Sequence, residues 1–347
     1  MSDVTVRHLA SGERPDWPED LRIRATFAGT DSWQDFVSGI YALPAYRLEA
    51  RESGRPAGLL MLTHIRHRVW GNYLVTAPFA SYGGFAFSST AARDALLAEA
   101  GRLAAELKVD YANVRFEQGE MRPPDGWIQH PAYCTYLLDL SRGADALMAS
   151  FSSDHRNHVR KSLRKGFTLR FGGPELLEDA YEALARSMHE LGSPYHARGY
   201  LQRMSECLGE TLEFAVLYGP RGELAGAGVF ILHGPVWTNL HANILRRFRP
   251  EYAGEFLYWS AIERYAHKGM GLFDLGRSLI GSGNEAFKMK WRPRRQLLAY
   301  WYALPLGAAL PELNQKNPKF RAAIWAWKRL PRGAVRLMGP GVIRGLA

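Results

Sequence analysis

The same short pattern occurs twice in this chain, about half its length apart. Gly54-Arg-Pro-Ala57-Gly58 leads into an apolar run and then Trp70, and Gly222-Glu-Leu-Ala225-Gly226 leads into an apolar run and then Trp237. The two copies are offset by 168 residues at the first glycine and by 167 residues at the tryptophan. In each copy a turn precedes a buried strand, and a second strand follows within hairpin distance.

Both copies continue in the same way. Residues 91–107 have the three-and-four apolar spacing of a core-facing helix, and residues 109–116 have the pattern of a strand. The second copy continues with a helix over 254–267 and a strand over 271–276. The sequence therefore predicts an internal duplication of one mixed α/β unit, while a single large α/β domain would contain the same element order.

The boundary between the two copies is expected near Ser141. Residues 137–140 have the pattern of a closing strand, and residues 144–165 that of a helix with its apolar face formed by Leu147, Phe151, Val159 and Leu163. The predicted organisation is a first domain over 1–141, a second over 142–312 and a basic aromatic tail over 313–347.

The positive charge of the chain is concentrated at its C-terminal end. The 347 residues carry a formal net charge of +10, and eight of these charges fall in 313–347, which contains no acidic residue. The rest of the chain is left with only about +2, which does not suggest a uniformly basic nucleic-acid-binding surface. Phe320, Trp325 and Trp327 are interspersed with these cations. The tail is therefore expected either to lie on an anionic membrane surface or to dock on its own domain.

Other features narrow the function by exclusion. Cys134 and Cys207 match no metal or redox spacing, and no His, Cys or Asp cluster has metal-ligand spacing, so no metal is expected. The fingerprints of serine hydrolases, P-loop NTPases and dinucleotide-binding dehydrogenases are absent. The N-terminus lacks an apolar signal core, and no run approaches the length of a membrane span. A cytoplasmic protein is expected, with peripheral attachment to the inner membrane if the tail binds lipid.

One run near the C-terminal end of the second copy combines a strand, a flexible turn and a charged aromatic segment. It consists of Gly271-Leu-Phe-Asp274-Leu-Gly276-Arg277-Ser278, the turn Gly281-Ser-Gly283, and Glu285-Ala-Phe287-Lys288-Met-Lys290-Trp291. Cations beside aromatic rings at the end of a strand suit an anionic acyl donor. Strand alternation puts Asp274 and Arg277 on opposite faces, so Arg277 is the candidate for an anion contact. Asp274 is then a structural cap or an amine acceptor, or the two form an ion pair that closes the strand.

A second cluster of cations lies at the start of the second copy. Residues 154–165 carry five Lys or Arg and two His, and Arg156, Arg160 and Arg164 share one helical face. An anionic partner would relieve the repulsion between like charges on that face. A solvated basic surface is the alternative.

These motifs, with Gly192-Ser-Pro-Tyr195-His196 and Leu257-Tyr258-Trp259, resemble the FemAB-like branch of the GNAT acyltransferases, especially members associated with exosortase and PEP-CTERM exopolysaccharide systems. The resemblance implies two tandem GNAT-like domains, each a mixed twisted sheet flanked by helices, with the donor site in the C-terminal half. It also implies acyl or aminoacyl transfer to an amine of a cell-envelope or exopolysaccharide precursor that is lipid-linked, a sugar or a peptide. In Fem ligases the donor is aminoacyl-tRNA and the acceptor is a peptidoglycan precursor, whereas related enzymes use acyl-CoA. Either donor would be a co-substrate, so no separate cofactor is expected.

The resemblance assigns roles to individual residues. Phe287 and Lys288 match the Phe-Lys pair that Fem ligases place near the reacting carbonyl. The residues expected to be catalytic are Lys288, Arg277, Glu285 and Asp274. Glu285 could take a proton from the attacking amine or pair with Lys288. The donor-binding candidates are Phe287, Trp291, Lys290, Tyr252, Arg249 and Gly254. The substrate-binding candidates are Tyr195, His196, His241, Asn243, Arg156 and Arg160.

The turn that binds pyrophosphate in CoA-dependent GNAT enzymes is altered in this sequence. Those enzymes hold the phosphates with a glycine-containing turn at a helix N-terminus, where backbone N–H groups and the helix dipole meet the anion. Here the stretch is Arg249-Pro-Glu-Tyr252-Ala-Gly254, with Tyr252 in place of the first glycine. A side chain there would crowd a phosphate, which weakens the case for acyl-CoA.

The main alternative function is not enzymatic. A duplicated GNAT scaffold could serve as a binding module of a membrane-associated polysaccharide-assembly complex, because function depends on sites rather than on scaffolds.

Overall fold

The chain contains both strands and helices, and the predicted α/β class is confirmed. The computed structural model describes residues 4–10, 12–13, 17–117, 121–130, 133–305, 308, 310 and 318–346. In chain order the first strands are β1 (Val4–His8), β2 (Ala45–Glu52), β3 (Arg55–His67), β4 (Gly71–Val75), β5 (Phe85–Phe87), β6 (Tyr111–Glu117), β7 (Trp127–Gln129) and β8 (Tyr133–Asp139). The remaining strands are β9 (Thr168–Gly172), β10 (Leu212–Tyr218), β11 (Leu224–His233), β12 (Val236–Ile244), β13 (Leu272–Asp274), β14 (Ser278–Leu279) and β15 (Arg294–Ala303).

The helices complete the element order. They are α1 (Glu19–Ala25), α2 (Asp31–Tyr41), α3 (Thr90–Glu106), α4 (Gly143–Ser150), α5 (Ser153–Leu163), α6 (Leu177–Leu191), α7 (Arg198–Leu208), α8 (Ala253–His267), α9 (Gly283–Met289), α10 (Pro318–Trp327) and α11 (Arg332–Ile343). Within the described part of the chain, no helix combines the length and the apolar composition needed to cross a membrane.

The contacts divide the chain into two compact units. The first unit contains Met1–Cys134, Gln296–Pro311 and Arg344–Ala347, and the second contains Thr135–Arg295 and Glu312–Ile343. The predicted limits at 141 and 312 differ from this division. Residues 296–303 lie in the first unit because β15 pairs with β6 in an antiparallel register that places Trp301 opposite Val114. A pairing between segments so distant along the chain leaves no local trace in the sequence.

The two units repeat one strand topology. In the first, β2, β3 and β4 are successively antiparallel, and β6 adds parallel to β4. In the second, β10, β11 and β12 are successively antiparallel, and β13 adds parallel to β12. The turn glycines Gly54 and Gly222 both have a φ of +77°. The register also shifts at corresponding places, after Ala50 and after Leu217. The sequence repeat therefore corresponds to a repeat of topology.

A helix covers the sheet of each unit. In the first unit α3 buries Leu96, Leu97, Ala100 and Leu103 against the sheet, as its spacing predicts. In the second unit α8 buries Leu257, Ala261, Ile262 and Tyr265. The strand order of the second unit is β8-β13-β12-β11-β10-β9, so that β13 lies between β8 and β12.

The predicted helix over 144–165 is two helices. The chain leaves helical geometry at Phe151 and Ser152, and the Ser152 side chain accepts a hydrogen bond from the N–H of His155 at 3.2 Å. This N-cap starts α5, because a serine oxygen satisfies a backbone donor that has no partner within the helix. Leu163 was expected on the buried face, but it is 47% exposed in the last turn of α5.

The described part of the tail contains two helices, while residues 313–317 and 347 of the predicted tail segment lie outside the described residues. The second helix, α11, docks on the second unit through buried Val335 and Gly339 and through an ion pair between Arg336 and Glu182. A Cβ added at Gly339 would lie 2.9 Å from the carbonyl oxygen of Tyr195, so glycine permits this close approach. Of the two expectations for the tail, docking on the domain holds for α11.

Candidate functional site

The end of β13 is shaped by a sharp turn at Gly276. Its φ of +76° is in the left-handed region, and a Cβ there would lie 2.8 Å from the carbonyl oxygen of Asn239. Only glycine suits both conditions without strain. The preceding N–H, that of Leu275, donates to the carbonyl oxygen of Tyr136 at 2.9 Å. The turn is thus held close to the neighbouring strands on both sides.

Asp274 fixes this turn from within. Its side chain is fully buried, and Oδ1 accepts hydrogen bonds from the Thr135 hydroxyl and, at 2.8 Å, from the Gly276 N–H. A buried carboxylate needs such donors to offset its lost hydration. Of the alternatives for this residue, the geometry favours the structural cap.

Lys288 reaches the same turn from α9. The side chain is only 8% exposed, and Nζ donates to the carbonyl oxygens of Gly276 at 2.7 Å and Arg277 at 2.8 Å. The ammonium nitrogen also lies 5.5 Å from the centre of the Tyr136 ring, within cation-π distance. Burial lowers the pKa of Lys288 to about 8; Asp274 opposes this shift, and Arg277 adds to it.

Arg277 and Asp274 differ in exposure, but strand alternation is not the reason, because β13 ends at Asp274 and the turn at Gly276 lies between the two residues. The Arg277 side chain is exposed, whereas Asp274 is buried beneath the turn. The Arg277 side chain is thus exposed on the outside of the loop, and the Lys288 ammonium group lies inside the same loop. An anion near this loop would meet both charges.

The Glu285 side chain, in the first turn of α9, makes three polar contacts. Its carboxylate accepts hydrogen bonds from the Gly281 N–H and from the Tyr136 hydroxyl at 2.9 Å, and it lies 3.1 Å from Nε of Arg295. The Gly281 N–H is the main reason that the pKa of Glu285 is lowered, with Tyr136 and Arg295 adding to the effect. A carboxylate with a lowered pKa is a weak proton acceptor, so these contacts favour a structural role.

The aromatic part of the predicted platform is mostly internal. Trp291 is fully buried, with its ring 6.0 Å from Tyr258 in a stacked arrangement and 4.3 Å from His155 edge-on. It therefore joins α5 and α8 rather than offering a face to a donor, which corrects its expected role. Phe287 is half-buried against Tyr258 at 5.1 Å, and Lys290 is exposed with Nζ 5.7 Å from the Phe287 ring centre.

The altered phosphate turn precedes α8. Tyr252 has a φ of +60°, a conformation that glycine adopts readily, and it caps α8 without a side-chain hydrogen bond. Its ring stacks on His158 at 4.6 Å. Arg249 is exposed, with Nε 3.2 Å from the carbonyl oxygen of Ile244. A Cβ added at Gly254 would lie 3.6 Å from the Phe287 ring, which is ordinary van der Waals contact.

The arginines on the cationic face of α5 differ in their contacts and exposure. Arg156 donates to the carbonyl oxygen of Phe151 and, at 3.2 Å, to that of Ala149, so it closes the end of α4. Arg160 and Arg164 are exposed. The expected anion contact is thus geometrically open to Arg160, while Arg156 already has backbone partners.

The substrate-binding candidates around Tyr195 come together in the second unit. His196 stacks on Tyr200 at 3.5 Å, and the ring of His241 lies 5.9 Å from Tyr195 and 6.5 Å from His196. Burial lowers the pKa of His241 to about 4 and that of His196 well below its ordinary value, so both imidazoles are neutral at pH 7. Asn243, two residues after His241 on β12, is half-buried.

The C-terminal helix covers one side of this aromatic cluster. A cavity of about 20 Å³ is lined by Tyr195 and His196 from the cluster and by Arg332, Val335 and Arg336 from α11. This volume holds about one water molecule. A ligand larger than water would reach Tyr195 from this side only after α11 moved.

The sequence pattern did not identify several residues that build the site. Thr135, Tyr136 and Asn239 come from β8 and β12, and they meet the turn only because β13 lies between those strands. Asn239 donates to the Tyr258 hydroxyl at 2.8 Å. The sequence offers no spacing that links such distant positions, although the Ser152-Ser-Asp154 cap signature before His155 could have located the start of α5.

Residues 153–289, which run from α5 to α9, match the family model described as the acetyltransferase (GNAT) domain. The crystal structure of FemX is similar with a TM-score of 0.62 and 12% identity, over 87% of this chain and 97% of FemX. A tandem GNAT protein from the clavulanic acid biosynthesis pathway is similar with a TM-score of 0.54 and 14% identity, over 89% of this chain and 100% of that one.

This chain has a tandem GNAT fold. The C-terminal domain of a putative lysylphosphatidylglycerol synthetase from Agrobacterium fabrum shares the fold, with a TM-score of 0.52 and 14% identity over 89% of this chain and 95% of that one. No curated protein sequence matches the chain. The resemblance to FemAB-like GNAT proteins is therefore confirmed at the level of the fold. The acetyltransferase family match covers the loop whose carbonyl oxygens accept hydrogen bonds from Lys288.

Proposed function

We propose that this tandem GNAT protein is an N-acyltransferase whose second unit binds an activated acyl donor and transfers the acyl group to an amine. The observation that carries the proposal is Lys288. Its ammonium group is buried at the end of β13, and the loop above it presents Arg277 to solvent. The family match and the fold support the reaction class.

The proposed chemistry is attack by a neutral amine on an ester or thioester carbonyl. A bond forms between the amine nitrogen and the carbonyl carbon, and negative charge develops on the carbonyl oxygen. The carrier then leaves with the electron pair of the broken ester or thioester bond, and its oxygen or sulfur takes up the proton that the amine nitrogen loses. A lysine ammonium has three N–H donors, and Lys288 uses two on Gly276 and Arg277. We assign the third to the developing oxyanion. Loss of one such donor typically costs about 10²–10³ in rate.

Aminoacyl-tRNA is the donor that the site favours over acyl-CoA. Tyr252 stands where CoA-dependent enzymes need a residue without a side chain, and its ring packs on His158. On α5, Arg160, Lys161 and Arg164 are exposed and could contact a nucleic-acid backbone. Phe287, on α9, is half-buried and could stack on a terminal base.

The acceptor we propose is an amine of a cell-envelope or exopolysaccharide precursor, the class implied by the resemblance to FemAB-like proteins. If this precursor is lipid-linked, the enzyme must work at a membrane surface. The side chain of Leu337 is 83% exposed and that of Trp325 is 60% exposed, and Arg329 covers the Trp325 ring at 3.8 Å. Exposed apolar groups beside cations support binding to an anionic leaflet.

A direct test presents the purified full-length protein with the two donor classes separately. Charged tRNA and a set of acyl-CoAs are each labelled on the acyl group, and transfer to a small primary amine is measured under single-turnover conditions. Transfer from charged tRNA with little from acyl-CoA is expected. Efficient transfer from acyl-CoA alone would overturn the donor assignment. If the protein transfers the acyl group from neither donor and also protects neither donor from hydrolysis, the acyltransferase proposal is wrong.

The second candidate is a non-catalytic binding module. It is favoured by the two backbone carbonyls that already engage Lys288, since this arrangement also suits a residue that only stabilises the turn. A module would bind an anionic carrier without accelerating the loss of its acyl group. Binding of charged tRNA with an unchanged rate of acyl loss in the presence of amine would support this function over catalysis.

A further inference from the structure

Three side chains with metal-ligating atoms converge where α5 meets the first turn of α8. His155 and His158 lie three residues apart on α5, and Glu255 lies in the first turn of α8. One nitrogen or oxygen atom from each lies within 4.8 Å of the other two. Neighbouring positions on a helix bring the two imidazoles to one side, and the packing of α8 on α5 adds the carboxylate.

His155 is buried with unused hydrogen-bonding capacity. Its side chain is 1% exposed, and neither ring nitrogen has a hydrogen-bond partner among the residues that the structure describes. Buried polar groups normally have partners, because an unsatisfied one costs about 1–3 kcal/mol. The ring edge packs on Trp291 at 4.3 Å, which fixes its orientation.

His158 has the surroundings of an oriented ligand. Its Nε2 lies 3.5 Å from Oδ1 of Asp154, and its ring stacks on Tyr252 at 4.6 Å. The other nitrogen, Nδ1, is buried and has no hydrogen-bond partner within the described part of the chain. Metal-bound histidines commonly place one nitrogen on the metal and the other against a carboxylate, which holds the ring in place.

Glu255 supplies the negative charge and already has a cation nearby. Its side chain is buried, and one carboxylate oxygen lies 3.8 Å from Nζ of Lys290. The Lys290 side chain is exposed and flexible, so it can move into solvent when another cation takes its place. The carboxylate thus faces a site where positive charge is favoured.

We propose that His155, His158 and Glu255 bind a divalent transition-metal ion, with Zn²⁺ as the natural occupant. Two imidazoles and one carboxylate form a common three-ligand set for zinc, with a fourth position left for water. Bonds of about 2.1 Å require ligand atoms about 3.4 Å apart, so small side-chain rotations would close the present spacing. The ion would cross-link α5 to α8 beside Trp291. This proposal is independent of the acyl-transfer proposal, since that chemistry needs no metal, and it contradicts the sequence-based expectation of no metal.

The experiment measures metal binding rather than activity. Full-length protein is freed of metal with a chelator, and Zn²⁺ is titrated in competition with a chromophoric chelator. One Zn²⁺ per chain is expected. Glu255→Gln and His158→Ala should each weaken binding at least 100-fold, and Asp154→Asn by about 10–100-fold, as loss of an orienting carboxylate does. Lys290→Met should strengthen binding because it removes the competing cation.

A matched control and a second readout keep the test decisive. His267→Ala, at the exposed other end of α8, should bind Zn²⁺ like the wild type. Bound Co²⁺ should give visible absorption bands of a low-coordinate nitrogen and oxygen site in the wild type but not in Glu255→Gln, whose near-isosteric change should preserve the fold by circular dichroism. No stoichiometric binding at micromolar Zn²⁺, or equal binding by the wild type and a folded Glu255→Gln variant, would overturn the proposal.

Discussion

Lys288 combines a charge with a buried position, and its surroundings explain how the chain tolerates this. Two backbone carbonyls accept from the ammonium group, the Tyr136 ring lies 5.5 Å away, and the buried Asp274 provides a nearby negative charge. These contacts stabilise the protonated form, while burial destabilises it more strongly, so the pKa is lowered to about 8. The residue is therefore protonated at neutral pH but close to its titration range.

This lowered pKa predicts a pH dependence of stability. The folded protein releases the Lys288 proton near pH 8, whereas the unfolded chain keeps it up to its ordinary pKa of 10.5. Between these values the unfolded state binds more protons, so the free energy of unfolding rises with pH. Below about pH 8 the cost of burying the charge is fully present. The rise is at most about 1.4 kcal/mol for each unit of pKa shift.

The measurement compares denaturant unfolding of the wild type and Lys288→Met at pH 7 and pH 10. The difference in unfolding free energy, wild type minus variant, should increase toward pH 10. A difference that stays constant or falls would mean that the pKa of Lys288 is not lowered in the folded protein.

Among the elements, the turn after β13 sets the geometry of the candidate site. Gly276→Ala should destabilise the protein by more than about 2 kcal/mol, because φ is +76° and the new Cβ would lie 2.8 Å from the Asn239 carbonyl oxygen. Gly281→Ala is the matched control: φ is +79°, but no atom lies within 4 Å of the added Cβ. It should cost only the conformational term of about 1–2 kcal/mol. Thermal and denaturant unfolding would measure both, and equal losses would contradict the described turn.

The turn before α8 offers a test of donor choice. Tyr252→Gly should increase the affinity for acyl-CoA, because it removes the side chain from a position whose φ of +60° already suits glycine. Tyr252→Phe keeps the ring and should behave like the wild type. Isothermal titration with an acyl-CoA measures the change. Unchanged or weaker binding by a folded Tyr252→Gly variant would show that Tyr252 does not exclude the pyrophosphate.

The sequence predicts elements better than it predicts the site. The hairpins at Gly54 and Gly222 can be predicted from the sequence, because turn residues and apolar runs are local signals. The placement of β15 beside β6 and the convergence of Thr135 and Tyr136 on Asp274 depend on long-range pairing, which has no local pattern. The burial of Trp291 could not be predicted either, because an aromatic residue next to cations in the sequence can lie in a surface platform or in a core.

At the scale of the whole molecule, the two units repeat one strand topology. The strand order and the direction of each pairing match between β2, β3, β4, β6 and β10, β11, β12, β13. The candidate donor site lies in the second unit, within the range of the acetyltransferase match. The proposed chemistry therefore falls in one of two units that share a topology.

We predict that the tail binds the protein to anionic membranes. Leu337→Glu with Met338→Glu should reduce sedimentation with vesicles that contain anionic lipid by about tenfold, since both side chains are exposed on α11. Neither change should lower the melting temperature, because the docked face of α11 is formed by Val335 and Gly339. Vesicles of neutral lipid serve as the control. Point variants are preferable to deletion of the tail, since Glu312–Ile343 and Arg344–Ala347 belong to different compact units.

If the wild type and the double variant sediment equally with anionic vesicles, α11 does not contact the membrane. The acceptor would then have to reach the enzyme by another route.

The role of Lys288 is tested most directly by the single-turnover rate of acyl transfer from labelled charged tRNA to an amine, compared between the wild type and Lys288→Met. A loss of about 10²–10³ in rate is expected for Lys288→Met. Lys268→Met, a change of an exposed lysine at the end of α8, should keep the wild-type rate. A folded Lys288→Met protein that transfers the acyl group as fast as the wild type would contradict the claim that this buried ammonium stabilises the reacting carbonyl.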